Sequence, residues 1–110
     1  MEFVENMYIG QGVKFPQNII DMLKNKKTAI NIYCICIDMN SSSLMEILYS
    51  HEIHKKVYEN KNYIVIGLAY GKKEAKEIVC SIIKKAYDYD NSLSNVKDFI
   101  YNTLVKRGDI

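Results

Sequence analysis

Gly67-Leu68-Ala69-Tyr70-Gly71-Lys72-Lys73 sets two glycines and two lysines where an apolar run gives way to helical spacing. Free amide donors at a helix start, together with the positive end of the helix dipole, attract phosphate or carboxylate. A Walker-type phosphate loop needs four residues between its glycines and a Ser or Thr after the lysine. Here three intervene and a second lysine follows. Gly67, Gly71, Lys72 and Lys73 are therefore candidate ligand-binding residues for a generic anion. The plainer expectation is that Gly67 permits close packing, Gly71 makes a turn and both lysines face water. Gly10-Gln11-Gly12 shares the opening of a dinucleotide fingerprint, but Phe15 stands where the third glycine belongs and no clean buried strand precedes it.

A second constellation is Cys34-x-Cys36 with His51 and His54. Alternate residues share one face of a strand and residues three apart share one face of a helix, so the four side chains have the types of a Cys2His2 zinc set. Structural zinc sites usually pair their cysteines in a knuckle. Across an extended strand the sulfurs sit about 7 Å apart, too wide for undistorted tetrahedral ligation. The expected roles are small core hydrophobes for Cys34 and Cys36 and surface positions for the histidines, with no metal. Cys80 has Lys76 and Lys84 one turn away on either side, which favours thiolate, yet no base accompanies it. The expected place for Cys80 is the border of the helix's buried stripe, beside Ile83 and Tyr87. Asp38 and Glu46 are neighbours only if a hairpin joins them. The chain thus shows no nucleophile with its base and no complete cofactor motif, and no catalytic residue or cofactor is assigned.

Tyrosine is the remaining unusual feature: nine in all, among them Tyr33, Tyr49, Tyr58, Tyr63, Tyr70, Tyr87, Tyr89 and Tyr101, spread through nearly every element. Tyr suits interfaces, because a large rigid ring tolerates one wet end. Interleaved with lysine, it also suits stacking on single-stranded bases. Of 15 basic residues only Arg107 is arginine, so the bidentate contacts that read guanine and grip phosphate are scarce, and nucleic acid is not the expected partner.

These residues need a scaffold, and composition bounds it. A chain of 110 residues with 48% hydrophobic content, 25% charged residues and a formal net charge of +2 suits one globular domain, residues 1–110. Three cysteines make an odd number, and the opening Met-Glu-Phe-Val-Glu has neither a basic nor an apolar leader region, so a reduced, cytoplasmic protein is expected. The longest near-apolar run, 29–37, is far short of the roughly 20 residues that span a bilayer.

Along the chain, residues 2–9 read as an edge strand or irregular arm. A helix follows with Pro16 in its first turn, Ile19, Ile20 and Leu23 on one face, and Lys24, Lys26 and Lys27 at its carboxyl end. Residues 28–38 carry apolar side chains at both parities, as a central strand buried on two faces should. The next segment forks. Ser43 with Glu46 matches a capping box for a helix starting at Leu44. Helical spacing then groups Ile47, Leu48, His51 and Lys55 but strands Ile53 and Val57 on the far side. The other reading returns 44–49 as an antiparallel strand, with Ser50 capping a short helix that holds Ile53 and Val57. Periodicity favours the hairpin. Strand 63–69 leads into the clearest helix, with Ala75, Ile78, Val79, Ile82 and Ala86 as its buried stripe. A last helix is expected from a Ser92 cap, with Leu93, Val96, Ile100 and Leu104 in line and Gly108 ending it.

The expected fold is α/β of the α+β kind: a small mixed sheet of three or four strands covered by amphipathic helices. The function expected is a non-enzymatic protein-interaction or regulatory module, working through another protein or by self-association at exposed sheet edges. Its alternative is a phosphate- or carboxylate-binding protein or enzyme using the turn at 67–73.

Overall fold

A computed structural model describes residues 2–38, 40, 45–59, 63–90 and 96–105. The chain runs β1 (Glu2–Ile9), α1 (Pro16–Lys24), β2 (Ile32–Asp38), β3 (Glu46–Tyr49), α2 (Ser50–Glu59), β4 (Tyr63–Tyr70), α3 (Lys72–Asp90) and α4 (Val96–Ile100), which continues as a π turn, Tyr101–Val105. The four strands form one sheet in the order β1-β4-β2-β3. β1 lies parallel to β4, and β2 is antiparallel to both β4 and β3. The mixed four-stranded α+β fold expected from the sequence is the one observed.

The middle strands explain the layering. Along β2, Ile32, Cys34 and Cys36 point to one face, where they pack with Leu23 of α1 and Ile53 of α2. Ile35 and Ile37 point to the other, against Ala75, Ile82 and Ala86 of α3 and Val96 and Ile100 of α4. Apolar residues at both parities thus bury a strand on both faces, and helices on each side complete three layers. The radius of gyration of 13.2 Å is what about 2.2·N^0.38 gives for one domain of this length.

β4 carries a bulge that changes this alternation. Ile35 pairs with Gly67 and Cys36 with Val65, so Ile66 and Gly67 together oppose one step of β2. Before the bulge, Tyr63 and Val65 face α1 and α2; after it, Leu68 does. A Cβ on Gly67 would lie 3.2 Å from Ile35 Cδ1 and 3.2 Å from the Tyr8 carbonyl oxygen, so glycine here serves close approach of three strands.

Several element ends differ from the sequence reading, each for a local reason. β2 starts at Ile32, because 28–31 form a loop in which Asn31 takes a left-handed φ of 61°. Residues 46–49 are strand, paired Tyr33 to Tyr49 through Cys36 to Glu46, and the tilted Tyr33–Tyr49 ring pair, 5.1 Å between centroids, reinforces the register. Ser43 and Leu44 lie outside the described residues. Ser50 opens α2, but its buried hydroxyl reaches across the molecule: it donates to the Ala29 carbonyl at 2.6 Å and accepts from the Ala29 amide at 3.1 Å. α1 ends in a Schellman motif, the Lys27 amide bonding the Met22 carbonyl and the Lys26 amide that of Leu23, with Lys26 itself at φ 59°. Ser92, Leu93 and Gly108 fall outside the described residues.

At the far end of the sheet the Tyr63 hydroxyl donates a very short hydrogen bond to Glu46, which faces Cys36 across the β2–β3 ladder. That bond, with burial, pushes the Tyr63 phenol up to about 12. Burial alone pushes the Cys34 thiol up to about 12, and burial with the charges of Cys34 and Glu46 raises Cys36 well above its ordinary value.

Two outcomes are expected. Gly67→Ala should cost about 1–3 kcal/mol in urea unfolding, because the added methyl has backbone on one side and a buried isoleucine on the other. Alkali should also destabilise the fold. The unfolded chain loses these protons near the ordinary values, 9.0 for Cys and 10.0 for Tyr, while the folded chain keeps them to about 12. The contribution is therefore complete below about pH 9 and declines as pH rises through that window. Tyr63→Phe should flatten the decline above about pH 10, and Cys34→Ala should flatten its start near pH 9, read as denaturation midpoint against pH.

Candidate functional site at the carboxyl ends of β1 and β4

Because β1, β3 and β4 run the same way, their carboxyl ends gather at one end of the sheet, where β2 begins. Open α/β sheets place ligands in the crevice outside the carboxyl ends of their strands. Here the β1–α1 loop, the α1–β2 loop and the β4–α3 turn meet.

A carboxylate ties the loops together. The Gly10 amide continues the parallel ladder to the Leu68 carbonyl at 2.9 Å, and the Val13 amide closes a turn onto Gly10 at 3.0 Å. Into this turn comes Glu74 from the first turn of α3. Its Oε2 accepts the Gly12 amide and its Oε1 the Tyr70 amide, both at 2.9 Å. A Cβ on Gly10 would sit 1.8 Å from Glu74 Oε1, and one on Gly12 would lie 3.2 Å from Oε2. The Gly-x-Gly pair is thus a cradle for the protein's own carboxylate. A negative group three residues past Gly71 also complements the helix dipole.

The sequence-predicted residues take up distinct places around this tie. Gly67 lies in the bulge between strands, away from solvent. Gly71 adopts φ 83°, and its amide donates to the Asn31 carbonyl at 2.7 Å. Lys72 and Lys73 are exposed at the start of α3. The turn therefore has lysines in solvent, but the amides of Tyr70 and Gly71 already have acceptors within the chain. Cys34 and Cys36 are fully buried, whereas His51 is exposed, with Nδ1 3.2 Å from Thr28 Oγ1. The His54 side chain lies outside the described residues. Among the described residues no three His, Cys, Asp or Glu side chains come together. Cys80 is exposed beside Lys76 and Glu77.

Beside the Glu74 tie lies an open crevice of about 450 Å³, lined by Gly12, Lys14, Ile19, Ile30, Ile32 and Tyr70. Its size falls in the range of ligand clefts, about 300–1,000 Å³. Its rim is apolar and exposed: Ile30 is 78% accessible and Tyr70 50%, and Phe15, next to Lys14, is 74% accessible. With Ile9, these are four of the six exposed large apolar side chains among the described residues, all from one end of the sheet. Asn31 organises the polar part. Its amide donates to Tyr49 Oη at 3.3 Å and its Nδ2 to Tyr70 Oη at 3.2 Å. A phenol that accepts retains its own proton to donate, so both hydroxyls offer a donor outward.

Phe15 is the most unusual residue here. It caps α1 at φ 53° and ψ 59° with no side-chain hydrogen bond, immediately before Pro16. Left-handed backbone costs a bulky L-residue about 1–2 kcal/mol, and the residue before proline is ordinarily extended. Asn31 is a residue type that tolerates this region, and Lys26 sits in a helix-ending motif that requires it. Phe15 has neither excuse, and its ring is in water.

The sequence reading missed Lys14, Phe15, Ile30, Asn31 and Glu74. A signal existed for Glu74, an acidic residue three places beyond a helix-starting glycine. For Ile30 and Phe15 none did, because an apolar side chain in a loop reads as core until the fold exposes it. Comparison with known protein families, curated proteins and solved structures gives no match.

The tie predicts a thermodynamic coupling. Glu74→Ala and Gly10→Ala should each cost about 1–3 kcal/mol, the first by orphaning two amides and the second by expelling the carboxylate. The double variant should cost little more than either alone. Additive losses in a denaturation double-mutant cycle would show that the carboxylate does not occupy the cradle.

Proposed function

We propose that this chain is a non-enzymatic protein-interaction module that binds through the crevice end of its sheet. The observation that carries the reading is Phe15: a bulky residue in left-handed backbone, before proline, with its ring exposed. Strain that stabilises nothing within the fold is characteristic of recognition sites, where an exposed aromatic anchor is useful to a partner. Ile30 and Tyr70 extend the same apolar surface around the crevice. The tyrosines Tyr49 and Tyr70 supply the wet polar edges typical of interfaces.

The location proposed is the cytoplasm, on the three unpaired thiols. No helix among the described residues is long and apolar enough to cross a membrane. Self-association, which the sheet edges suggest, would run along β1, the eight-residue outer strand, rather than through the crevice. A small anion held by Gly67, Gly71, Lys72 and Lys73 is less well supported, since Gly67 packs between strands and the Gly71 amide is already bonded.

Phe15→Gly should raise the thermal midpoint by about 2–6 °C, because relief of the left-handed strain exceeds the entropy that glycine adds to the unfolded chain. The same variant combined with Ile30→Ser should lose a protein that wild type captures stoichiometrically from its own cells. Tyr87→Ser, altering an exposed ring on α3, should retain it. Lower stability of Phe15→Gly, or identical captured sets on all three proteins, would refute the reading.

A further inference from the structure

The crevice also constrains the chemistry of what binds there. Its floor and rim are apolar, from Ile19, Ile30, Ile32 and Tyr70, while Lys14 forms part of its wall. Lys72 follows Tyr70 by two residues and is exposed, and the Gly71 amide bond to Asn31 holds that turn against the Ile30–Asn31 loop, whereas Lys73 borders a separate hollow with Lys76 and Glu77. Glu74, which bonds the crevice residues Gly12 and Tyr70, has one oxygen on the Gly12 amide and the other on the Tyr70 amide. Its charge is therefore largely spent within the fold, and the described residues that line the crevice include Lys14 and no carboxylate. To these cations the Tyr70 hydroxyl adds a donor, because it already accepts from Asn31.

A surface of cations and hydroxyl donors around an apolar cleft matches an occupant rich in carboxylate and carbonyl acceptors with one large apolar group. Resting on the reading of this end as an interface, we infer that the partner presents an acidic segment of another protein whose Phe, Leu or Ile side chain enters the crevice. A second copy is a poor occupant: two-fold pairing would set a surface carrying Lys14 and Lys72 against the same surface, and like charges at an interface are costly. An acidic segment instead gains from them in both encounter rate and register.

The experiment is selection of a random dodecapeptide display library on the purified full chain, run in parallel on Ile30→Asp and on the Lys14→Glu/Lys72→Glu pair, after thermal melts show all three folded. Peptides enriched on wild type should carry net negative charge and at least one Phe, Leu or Ile, and should vanish from the Ile30→Asp selection. Their synthetic forms should shift the amide resonances of Lys14, Ile30, Asn31 and Tyr70, weaken between about 0.05 and about 0.5 M salt, and bind the lysine-reversed pair about tenfold less tightly. Basic or uncharged peptides that still depend on Ile30 would overturn the acidic partner and leave the interface standing. The same peptides on all three proteins, or no enrichment, would overturn both. If 3-phenylpropionate saturates the same resonances more tightly than any selected peptide, the crevice belongs to a small carboxylic acid and the peptide assignment falls.

Discussion

The bulge at Ile66 and Gly67 is the constraint on which both core and crevice depend. β4 is apolar along nearly its whole length, so hydrophobicity alone does not fix which residues face which layer. Pairing with β2 does. One inserted residue moves the partner of Cys36 to Val65 while Ile35 keeps Gly67, and every side chain beyond that point changes face. Leu68 consequently joins Cys34 and Leu23, and Tyr70 arrives beside Ile19 and Ile32 at the crevice. Strict alternation along the same residues of β4 would instead put Tyr70 on the α3 side, with Ile64 and Ile66. The geometry admits the bulge only because residue 67 has no side chain to strike Ile35 and the Tyr8 backbone.

A second, local constraint turns that strand end into a surface. Three loops converging at a sheet end would ordinarily be the least ordered part of a small domain. Glu74 links two of them to α3 through charge-assisted bonds to the Gly12 and Tyr70 amides, and Asn31 links the third through Gly71, Tyr49 and Tyr70. Such bonds are stronger than neutral ones, and they consume the polar groups that face inward. What is left facing outward is apolar side chain, lysine and tyrosine hydroxyl. The loop end is held rigid by its own backbone donors, so a partner would meet a preformed surface and lose less entropy on binding.

Much of the scaffold was legible in the sequence because the signals are periodic. Apolar residues at both parities marked β2 as central, and the spacing of Ala75, Ile82 and Ala86 marked the face of α3. The hairpin reading of 46–49 followed from the same rule, since a helix would have stranded Ile53, which is fully buried. The site was less legible because it depends on long-range register. Gly10-Gln11-Gly12 and Gly71-Lys72-Lys73 were each weighed as separate ligand motifs, whereas folding joins them through Glu74, 62 residues from Gly12. Ser50 was read as a helix cap, yet its hydroxyl bonds Ala29, 21 residues away. Local rules assign a polar side chain its nearest backbone partner and have no term for one delivered by tertiary structure.

The exposed aromatic and aliphatic residues raise a question of stability as much as of binding. Ordinary proteins scatter single apolar side chains over their surfaces, and one exposed Ile signifies little. The arrangement here is different in kind. Ile30 precedes a left-handed Asn31 and lines the crevice, and Phe15 is itself left-handed and follows Lys14 of the same crevice. Backbone strain at Phe15 opposes folding by about 1–2 kcal/mol, and the exposed Phe15 and Ile30 side chains return little of it through burial. Against a typical total of about 5–15 kcal/mol this is a substantial fraction for a domain of this size. Glycine or asparagine at position 15 would tolerate the left-handed backbone at lower cost. A phenylalanine at such a position is accounted for if the ring acts outside the fold, on a partner that covers it and returns the free energy on binding.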